Sequence, residues 1–317
     1  MNARFDELKN IGQRLIRPQT PAIAVGMGTC GIGNGADQLF EAFRTTIAER
    51  NLDIQLRQVG CLGYCADEPL VNIYFPGKPL LVLHKVVKRD VTAIFKGIEK
   101  GTLPKRLVLC KISKWDHLST VVEYGEGYPD IPEWNEVPFF KRQMKLIMRD
   151  AGLIDPSSIS EYIAVGGYAA LLKAVRTMTP EAVVEEVKDA KLRGRGGAGF
   201  STGIKWELLR KAPGEKKYII CNADEGDPGA YMNRNEIESD PHMLIEGMMI
   251  GAYAMGAQEG IIYIRAEYPL AVERLTNAVK QATELGLIGS VIPGSDFSFT
   301  LSVVKGAGAF VCGEETS

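Results

Sequence analysis

The sequence predicts an α/β protein with two domains joined by a connector, and three observations support this fold class. Short apolar strand patterns alternate with amphipathic helical patterns on both sides of residues 104–138. That connector is rich in turn-forming glycine and proline between Gly125 and Pro132. The 317 residues, 45% of them hydrophobic, are enough for two cores. We therefore predict domains at residues 1–103 and 139–317.

Composition and charge argue against several classes of protein. The formal net charge of −2 argues against nucleic acid as a main partner. Every long apolar run is interrupted before it reaches membrane-spanning length, so we expect no direct membrane insertion. The six cysteines show no dense pairing pattern, which favours a reducing cytoplasm over a disulfide framework. The three histidines are too scattered to predict a catalytic dyad.

Local sequence patterns predict the strands and helices of the first domain. The predicted strands are residues 23–25, 54–59, 70–75 and 80–84, and the predicted helices are residues 37–50 and 90–100, with Asp90 as a cap. Beyond the connector, the apolar spacing from Phe140 predicts a further helix that ends near Gly152.

A glycine-rich, basic stretch is the most informative feature of the second domain. It contains Gly194, Arg195, Gly196, Gly197, Gly199, Phe200 and Lys205. Bare backbone amides beside Arg and Lys, followed by a helix over residues 204–210, are suited to a phosphorylated ligand. The segment before this stretch begins with Thr179 and Pro180, which predict a helix rather than a strand, so the usual dinucleotide fingerprint is excluded. The structural alternative is a tight glycine connection between two packed helices.

Two further segments place polar groups at the ends of predicted strands. A short buried strand, residues 218–221, leads into Asn222, Asp224, Glu225 and Asp227. A second strand, residues 299–304, precedes a glycine-rich turn that ends in Gly313, Glu314 and Glu315. Ligands of open α/β sheets bind beyond the carboxyl ends of strands, so these groups are candidates for binding a ribityl or ribose chain. A solvated acidic turn or a calcium loop is the alternative for the first segment, although the regular alternation of an EF-hand loop is absent.

Together, these motifs resemble the NADH-oxidising flavoprotein subunit of respiratory complex I and its soluble relatives in NAD-coupled hydrogenases and formate dehydrogenases. The resemblance covers residues 139–317 and implies a Rossmann-like domain that binds FMN and NADH. It implies that FMN is bound by Gly194, Arg195, Gly196, Gly197, Gly199, Lys205, Asn222, Asp224, Glu225, Asp227, Gly313 and Glu314. It assigns the NADH contacts to Phe200 and Glu315, and it assigns no catalytic acid or base, because hydride transfer needs none.

Positions at which this sequence differs from the family pattern lead to further predictions. Asp227 stands where complex I members usually have glutamate, which favours the soluble relatives, and Leu208 replaces a second aromatic ring near the adenine. The family continues beyond the position of Ser317 into a region with a [4Fe–4S] site, so we expect that cluster in a further C-terminal part. Carboxylates near the flavin predict a preference for NAD over NADP.

The order of elements in the first domain resembles the thioredoxin-like [2Fe–2S] ferredoxin domain of the same superfamily. That resemblance implies thiolate ligands at Cys30, Cys61 and Cys65. Val25 occupies the position of the fourth cysteine, and the nearest spare thiol, Cys110, lies beyond the domain. A degenerate scaffold is therefore favoured over an intact cluster, and a zinc site would also lack a fourth ligand.

The resemblance as a whole implies a subunit that transfers hydride between NADH and FMN. It would pass electrons one at a time to iron–sulfur partner subunits of a multisubunit complex in the cytoplasm. The alternative is a non-catalytic docking subunit that bridges redox partners.

Overall fold

The protein is described by a computed structural model that covers residues 2–195, 198–227 and 229–313. Its contacts divide it into two compact units. The N-terminal unit consists of Ala3–Gly166 and a short later segment, Glu238–Asp240. The C-terminal unit consists mainly of Gly167–Ile237 and the residues from Pro241 onward.

The N-terminal unit is built around a five-stranded sheet. Its helices are α1 (Asn2–Ile16), α2 (Thr29–Gly33), α3 (Ala36–Glu49), α4 (Val91–Lys100) and α5 (Ile159–Ala164), and its strands are β1 (Ala22–Gly26), β2 (Gln55–Val59), β3 (Val71–Tyr74), β4 (Leu80–Leu83), β5 (Val108–Ile112), β6 (Lys114–Asp116) and β7 (Val121–Glu123). The sheet order is β2-β1-β3-β4-β5. β1 and β2 run parallel, whereas β3, β4 and β5 each join antiparallel to the preceding strand in the sheet. This arrangement confirms the predicted thioredoxin-like fold.

A hydrophobic core lies on each face of this sheet, because successive side chains along each strand point to opposite faces. Ile73 and Leu81 join the cluster that packs on α3 and α4 through Phe43 and Phe95. Their neighbours in the chain join a second cluster with Trp115, Tyr124 and Phe140. Because side chains alternate between the two faces of a strand, a sheet covered on both sides needs apolar residues at successive positions. The stretch predicted as a connector supplies β5 and much of this second core.

The helix predicted from Phe140 to Gly152 does not form. Residues 139–150 form a succession of turns, with the Phe140 and Lys141 amides both donating to the Val137 carbonyl at 2.9 Å. Phe140 is 1% exposed, whereas Met144 is 82% exposed, so the apolar residues do not share one helical face. The Lys145 ammonium donates to the Leu62 carbonyl at 2.7 Å. These tertiary contacts outweigh the local helical pattern.

The C-terminal unit is a parallel βαβαβ arrangement with additional helices before it. Its helices are α6 (Ala169–Thr177), α7 (Pro180–Asp189), α8 (Thr202–Lys211), α9 (Met232–Ser239), α10 (Pro241–Met255) and α11 (Pro269–Glu284), and its strands are β8 (Tyr218–Ala223), β9 (Glu259–Arg265) and β10 (Thr300–Gly306). The strand order is β10-β9-β8, and both pairings are parallel. The Thr179 hydroxyl accepts a hydrogen bond from the Ala182 amide at 3.2 Å, which confirms the predicted cap of α7. The parallel sheet confirms the Rossmann-like prediction.

The three-stranded sheet has one covered face and one exposed face. Met248 of α10 and Leu275 of α11 pack with Ile262 and Ile264 in the covered core. On the other face Ile220 is 63% exposed, so the predicted strand exists but only alternate side chains pack inward. Among the described residues, no helix is both long enough and apolar enough to cross a bilayer.

Candidate functional site

The carboxyl ends of the three parallel strands form one edge of the C-terminal sheet. Ala223 at the end of β8 is level with Ile264 of β9, and Gly306 of β10 is level with Arg265. The segments that follow these strands therefore begin side by side. This is the edge at which open α/β sheets bind ligands.

The segments after β8 and β10 are in direct contact at this edge. The Asn222 side-chain amide donates to the Cys312 carbonyl at 3.0 Å, and its oxygen accepts from the Asp224 amide at 3.1 Å. A Cβ atom added to Gly313 would lie 2.5 Å from the Asp224 carbonyl oxygen, so glycine permits this approach. The structure therefore brings together three predicted site residues from two separate motifs.

Asp224 has an acceptor atom without a hydrogen-bond partner in the described part of the chain. The residue is only 7% exposed, and its Oδ2 atom has no hydrogen-bond partner among the described residues. The hydrogen bond with Glu267 raises the pKa of Arg265, and the hydrogen bond with Cys312 raises the pKa of Tyr263. The negative charge of Asp224 adds a smaller increase to each. A buried acceptor without a donor costs about 1–3 kcal/mol. A ligand hydroxyl or N–H group at this position would remove that cost.

Glu225, in contrast, has its acceptor capacity occupied by the protein. Its carboxylate accepts hydrogen bonds from the amides of Met232 at 2.7 Å, Asn233 at 3.0 Å and Arg234 at 3.3 Å. These are the first amides of α9, which have no partners within the helix. The structure thus places Glu225 as a buried cap of α9. Asp227 is exposed.

Two residues of this edge were missed by sequence reasoning. The Arg265 guanidinium donates to the Glu225 carbonyl and also pairs with Glu267 at 3.1 Å. The Tyr268 hydroxyl donates to the same carbonyl at 3.2 Å. Both lie at or just after the end of β9, the central strand. The sequence analysis predicted no strand at Glu259–Arg265, and recognising that strand would have directed attention to the polar residues at its carboxyl end.

The glycine-rich turn is closed by main-chain pairing at its base. Arg193 and Ser201 form an antiparallel bridge, and the Gly194 amide donates to the Phe200 carbonyl at 2.8 Å. Gly199 has φ +61°, and a Cβ atom there would lie 2.9 Å from the Arg193 guanidinium. Glycine is therefore favoured at this position. Phe200 is 52% exposed, and Gly194, Arg195 and Lys205 are exposed as well.

α8 follows the turn and is oriented by contacts at its far end. The Lys217 ammonium, next to the start of β8, donates to the Arg210 carbonyl near the end of α8 at 2.6 Å. This contact fixes the end of α8 beside the start of β8. The Ser201 hydroxyl caps this beginning by accepting from the Ile204 amide at 3.4 Å.

Four predicted site residues lie outside the described residues: Gly196, Gly197, Glu314 and Glu315. Their roles stay predictions.

Comparison with known proteins gives a family for the C-terminal segment. Residues 187–317 match the family model described as the Nuo51 FMN-binding domain. The chain spans less than half the length of the curated relatives it matches.

Two relatives illustrate the extent of the match. The NADP-reducing hydrogenase subunit HndC of Solidesulfovibrio fructosivorans is 55% identical over 177 residues, which are 56% of this chain and 36% of that protein. An NADH-quinone oxidoreductase chain of Rhizobium meliloti (strain 1021) is 49% identical over 172 residues, 54% of this chain and 41% of that protein. Among solved structures, an air-oxidised NAD+-reducing [NiFe]-hydrogenase matches with 22% identity and a TM-score of 0.43, covering 98% of this chain and 47% of that one.

The cysteines of the N-terminal unit lie outside the Nuo51 match, and two of them are in contact. The Sγ atoms of Cys61 and Cys65 are 3.7 Å apart. The hydrogen bond with Cys65 and burial raise the pKa of the Cys61 thiol, so it is neutral at physiological pH. Val25 is fully buried within β1. Among the described residues, no group of three or more His, Cys, Asp or Glu side chains is arranged to hold a metal ion.

A segment from much later in the chain connects the two cysteine-bearing loops. The Glu238 carboxylate accepts from the Thr29 amide at 2.8 Å and from its hydroxyl at 2.6 Å. The Ser239 hydroxyl accepts from the Cys61 amide at 3.2 Å. Sequence reasoning missed this connection, since 209 positions separate Thr29 from Glu238. Nearby, burial raises the pKa of Glu68 to about 7.

Proposed function

We propose that the C-terminal unit binds FMN and that the intact protein uses it to exchange hydride with NADH. The observation that supports FMN most directly is the buried Oδ2 of Asp224 at the carboxyl edge of a parallel sheet, which has no hydrogen-bond partner among residues 2–195, 198–227 and 229–313. An oxidised flavin carries an N–H group on its ring and hydroxyls on its ribityl chain, and each can donate to that oxygen. The homology of residues 187–317 to an FMN-binding domain supports the same cofactor.

The glycine-rich turn with the start of α8, and the carboxyl edge of the sheet, suit different parts of FMN. The amides at the start of α8, with Arg195 and Lys205, supply positive potential for the phosphate. Asp224, held by Asn222, supplies the acceptor for the flavin ring or its ribityl chain. The exposed Phe200 ring supplies a flat surface on which a nicotinamide or adenine can stack.

Bound FMN would accept a hydride from NADH and release electrons singly, which nicotinamide cannot do. The protein's part is to bind and orient the two rings. We also propose iron–sulfur partner subunits, a cytoplasmic location and the [4Fe–4S] site beyond Ser317. Co-purification from the native host, with iron analysis of the complete gene product, tests these proposals.

Titrating the flavin-free chain with FMN and with riboflavin tests the binding proposal. We expect Lys205→Ala to weaken FMN binding about 10-fold or more, since a charge-assisted hydrogen bond contributes about 1.5–3 kcal/mol. The same change should leave riboflavin binding unaltered, because riboflavin has no phosphate. Asp224→Ala should weaken both ligands equally. The matched control is Lys211→Ala, at the other end of α8, where the lysine pairs with Glu207 at 2.7 Å.

Loss of FMN absorbance on anaerobic addition of NADH tests the hydride step. NADPH serves as the comparison, because one relative is named as NADP-reducing. Equal rates with both nucleotides would contradict the predicted NAD preference. A folded chain that binds neither FMN nor riboflavin would overturn the proposal and favour a docking subunit.

A further inference from the structure

The N-terminal unit carries a pair of thiols that the proposed flavin chemistry does not use. Cys61 follows β2 and is 1% exposed, whereas Cys65 is partly exposed. The loop between them reverses at Gly63, which has φ +92° and donates its amide to the Cys61 sulfur at 3.3 Å. With 3.7 Å between the sulfur atoms, the side chains are in van der Waals contact. A disulfide bond has a sulfur–sulfur distance of about 2.05 Å, so the two sulfur atoms must move closer by roughly 1.7 Å to form it.

The residues around this pair do not fit the [2Fe–2S] cluster that the fold family implies. The position of the fourth cysteine is Val25, which pairs with Gln58 on one side and Val71 on the other in the middle of the sheet. Its side chain belongs to the core on the α3 and α4 face. Cys110 belongs to the core on the opposite face and therefore cannot replace it. Three thiols without a fourth ligand do not satisfy an all-cysteine cluster.

The backbone around the pair is nonetheless held firmly. Ser239 anchors the Cys61 amide, and a Cβ atom on Gly60 would lie 2.6 Å from the Ser239 Cα, so the two chain segments touch. The Lys145 ammonium donates to the Leu62 carbonyl within the loop. Burial lowers the pKa of Lys145, and the charge interaction with Cys61 partly offsets this shift. Glu68 accepts from the Leu70 amide at 2.7 Å. Burial raises the pKa of Glu68, a hydrogen bond with Cys61 lowers it, and the charge of Cys65 raises it. Loops fixed in this way keep the two sulfur atoms close together.

We propose that Cys61 and Cys65 form a reversible dithiol–disulfide pair that exchanges with disulfide substrates. The partly exposed Cys65 sulfur attacks one sulfur of a substrate disulfide, which releases the first substrate thiolate and leaves a mixed disulfide. Cys61 then gives its proton to the released thiolate, and its sulfur attacks the Cys65 sulfur, forms the Cys61–Cys65 bond and releases the second thiolate. The protons of the two cysteines end on the two released thiols. Two electrons pass from the protein to the substrate. Intracellular disulfides of this kind are usually transient and redox-sensing or catalytic.

Thiol counting on the full chain tests the proposal, with oxidised glutathione as the substrate. After reduction, alkylation in denaturant should label all six cysteines; after equilibration with oxidised glutathione, it should label four. Peptide mapping should assign the missing two to Cys61 and Cys65, and dithiothreitol should restore six. Cys61→Ala should retain one glutathione on Cys65, because the resolving thiol is gone. Cys65→Ser should take none at Cys61, because that sulfur is buried.

Cys221→Ser is the control, since Cys221 lies in the other unit, and this variant should still lose two thiols on oxidation. Circular dichroism of each variant confirms that it folds. Six labelled cysteines after oxidation, or glutathione retained on Cys65 in the unaltered chain, would overturn the proposal. So would stoichiometric iron in anaerobically purified protein that blocks Cys61 and Cys65 from alkylation. None of these outcomes depends on flavin binding, so the two proposals fail separately.

Discussion

Replacement of Glu225 by alanine should open the start of α9 even when no ligand is present. The carboxylate accepts from three successive amides and is 8% exposed, so the substitution leaves those donors without partners in a buried site. Loss of a cap costs about 1 kcal/mol, and hydrogen bonds to a charged acceptor contribute about 1.5–3 kcal/mol. We therefore expect about 3 kcal/mol of local destabilisation in flavin-free protein.

Hydrogen exchange is the assay that isolates this effect. Because each 1.4 kcal/mol is a factor of ten, the amides of Met232, Asn233 and Arg234 should exchange roughly 100-fold faster. Asp227→Ala is the matched control, since it removes an exposed carboxylate two residues away, and its effect should stay within about 0.5 kcal/mol. If Glu225→Ala leaves the exchange of these amides unchanged without flavin, the capping role is refuted.

Three further changes test the packing and electrostatics of the two units. Burial lowers the pKa of His242 from 6.5 to about 4, so the unfolded chain takes up its proton first as pH falls. Stability should then drop by about 3 kcal/mol between those pH values, and His242→Gln should flatten this part of a urea-denaturation pH profile. Gly12→Ala places a Cβ atom 2.0 Å from a backbone oxygen and should cost about 1–3 kcal/mol, whereas Gly33→Ala, with nothing within 4 Å, should leave the melting temperature unchanged. Glu161→Ala breaks a buried ion pair with Arg57 and should cost about 3–5 kcal/mol, with a double-mutant cycle showing strong coupling.

Local patterns predicted the elements well where local forces decide. The strand predicted at residues 54–59 is Gln55–Val59, and the helix predicted at 37–50 is Ala36–Glu49. Thr179 caps α7 because its partner amide is three residues away, within reach of a sequence rule. The turns after Phe140 could not be predicted in this way. They depend on the aromatic contact of Phe140 with Tyr64 and on the bond from Lys145 to Leu62, both of which join distant parts of the chain.

The same distinction separates two neighbouring acids of the candidate site. Asp224 and Glu225 follow one strand, are equally buried and were predicted as equivalent flavin contacts. Glu225 is occupied by α9, whose first amides lie across a loop, and no local pattern shows that a side chain will be taken up by such a partner. Among the described residues Asp224 Oδ2 has no partner, whereas the neighbouring Asn222 binds the Asp224 amide and the Cys312 carbonyl. Counting the carboxylates in a sequence motif therefore overestimates the number of acceptor atoms that remain available to a ligand. A ligand at this edge should depend on Asp224 for binding and on Glu225 for the integrity of the structure that holds Asp224 in place.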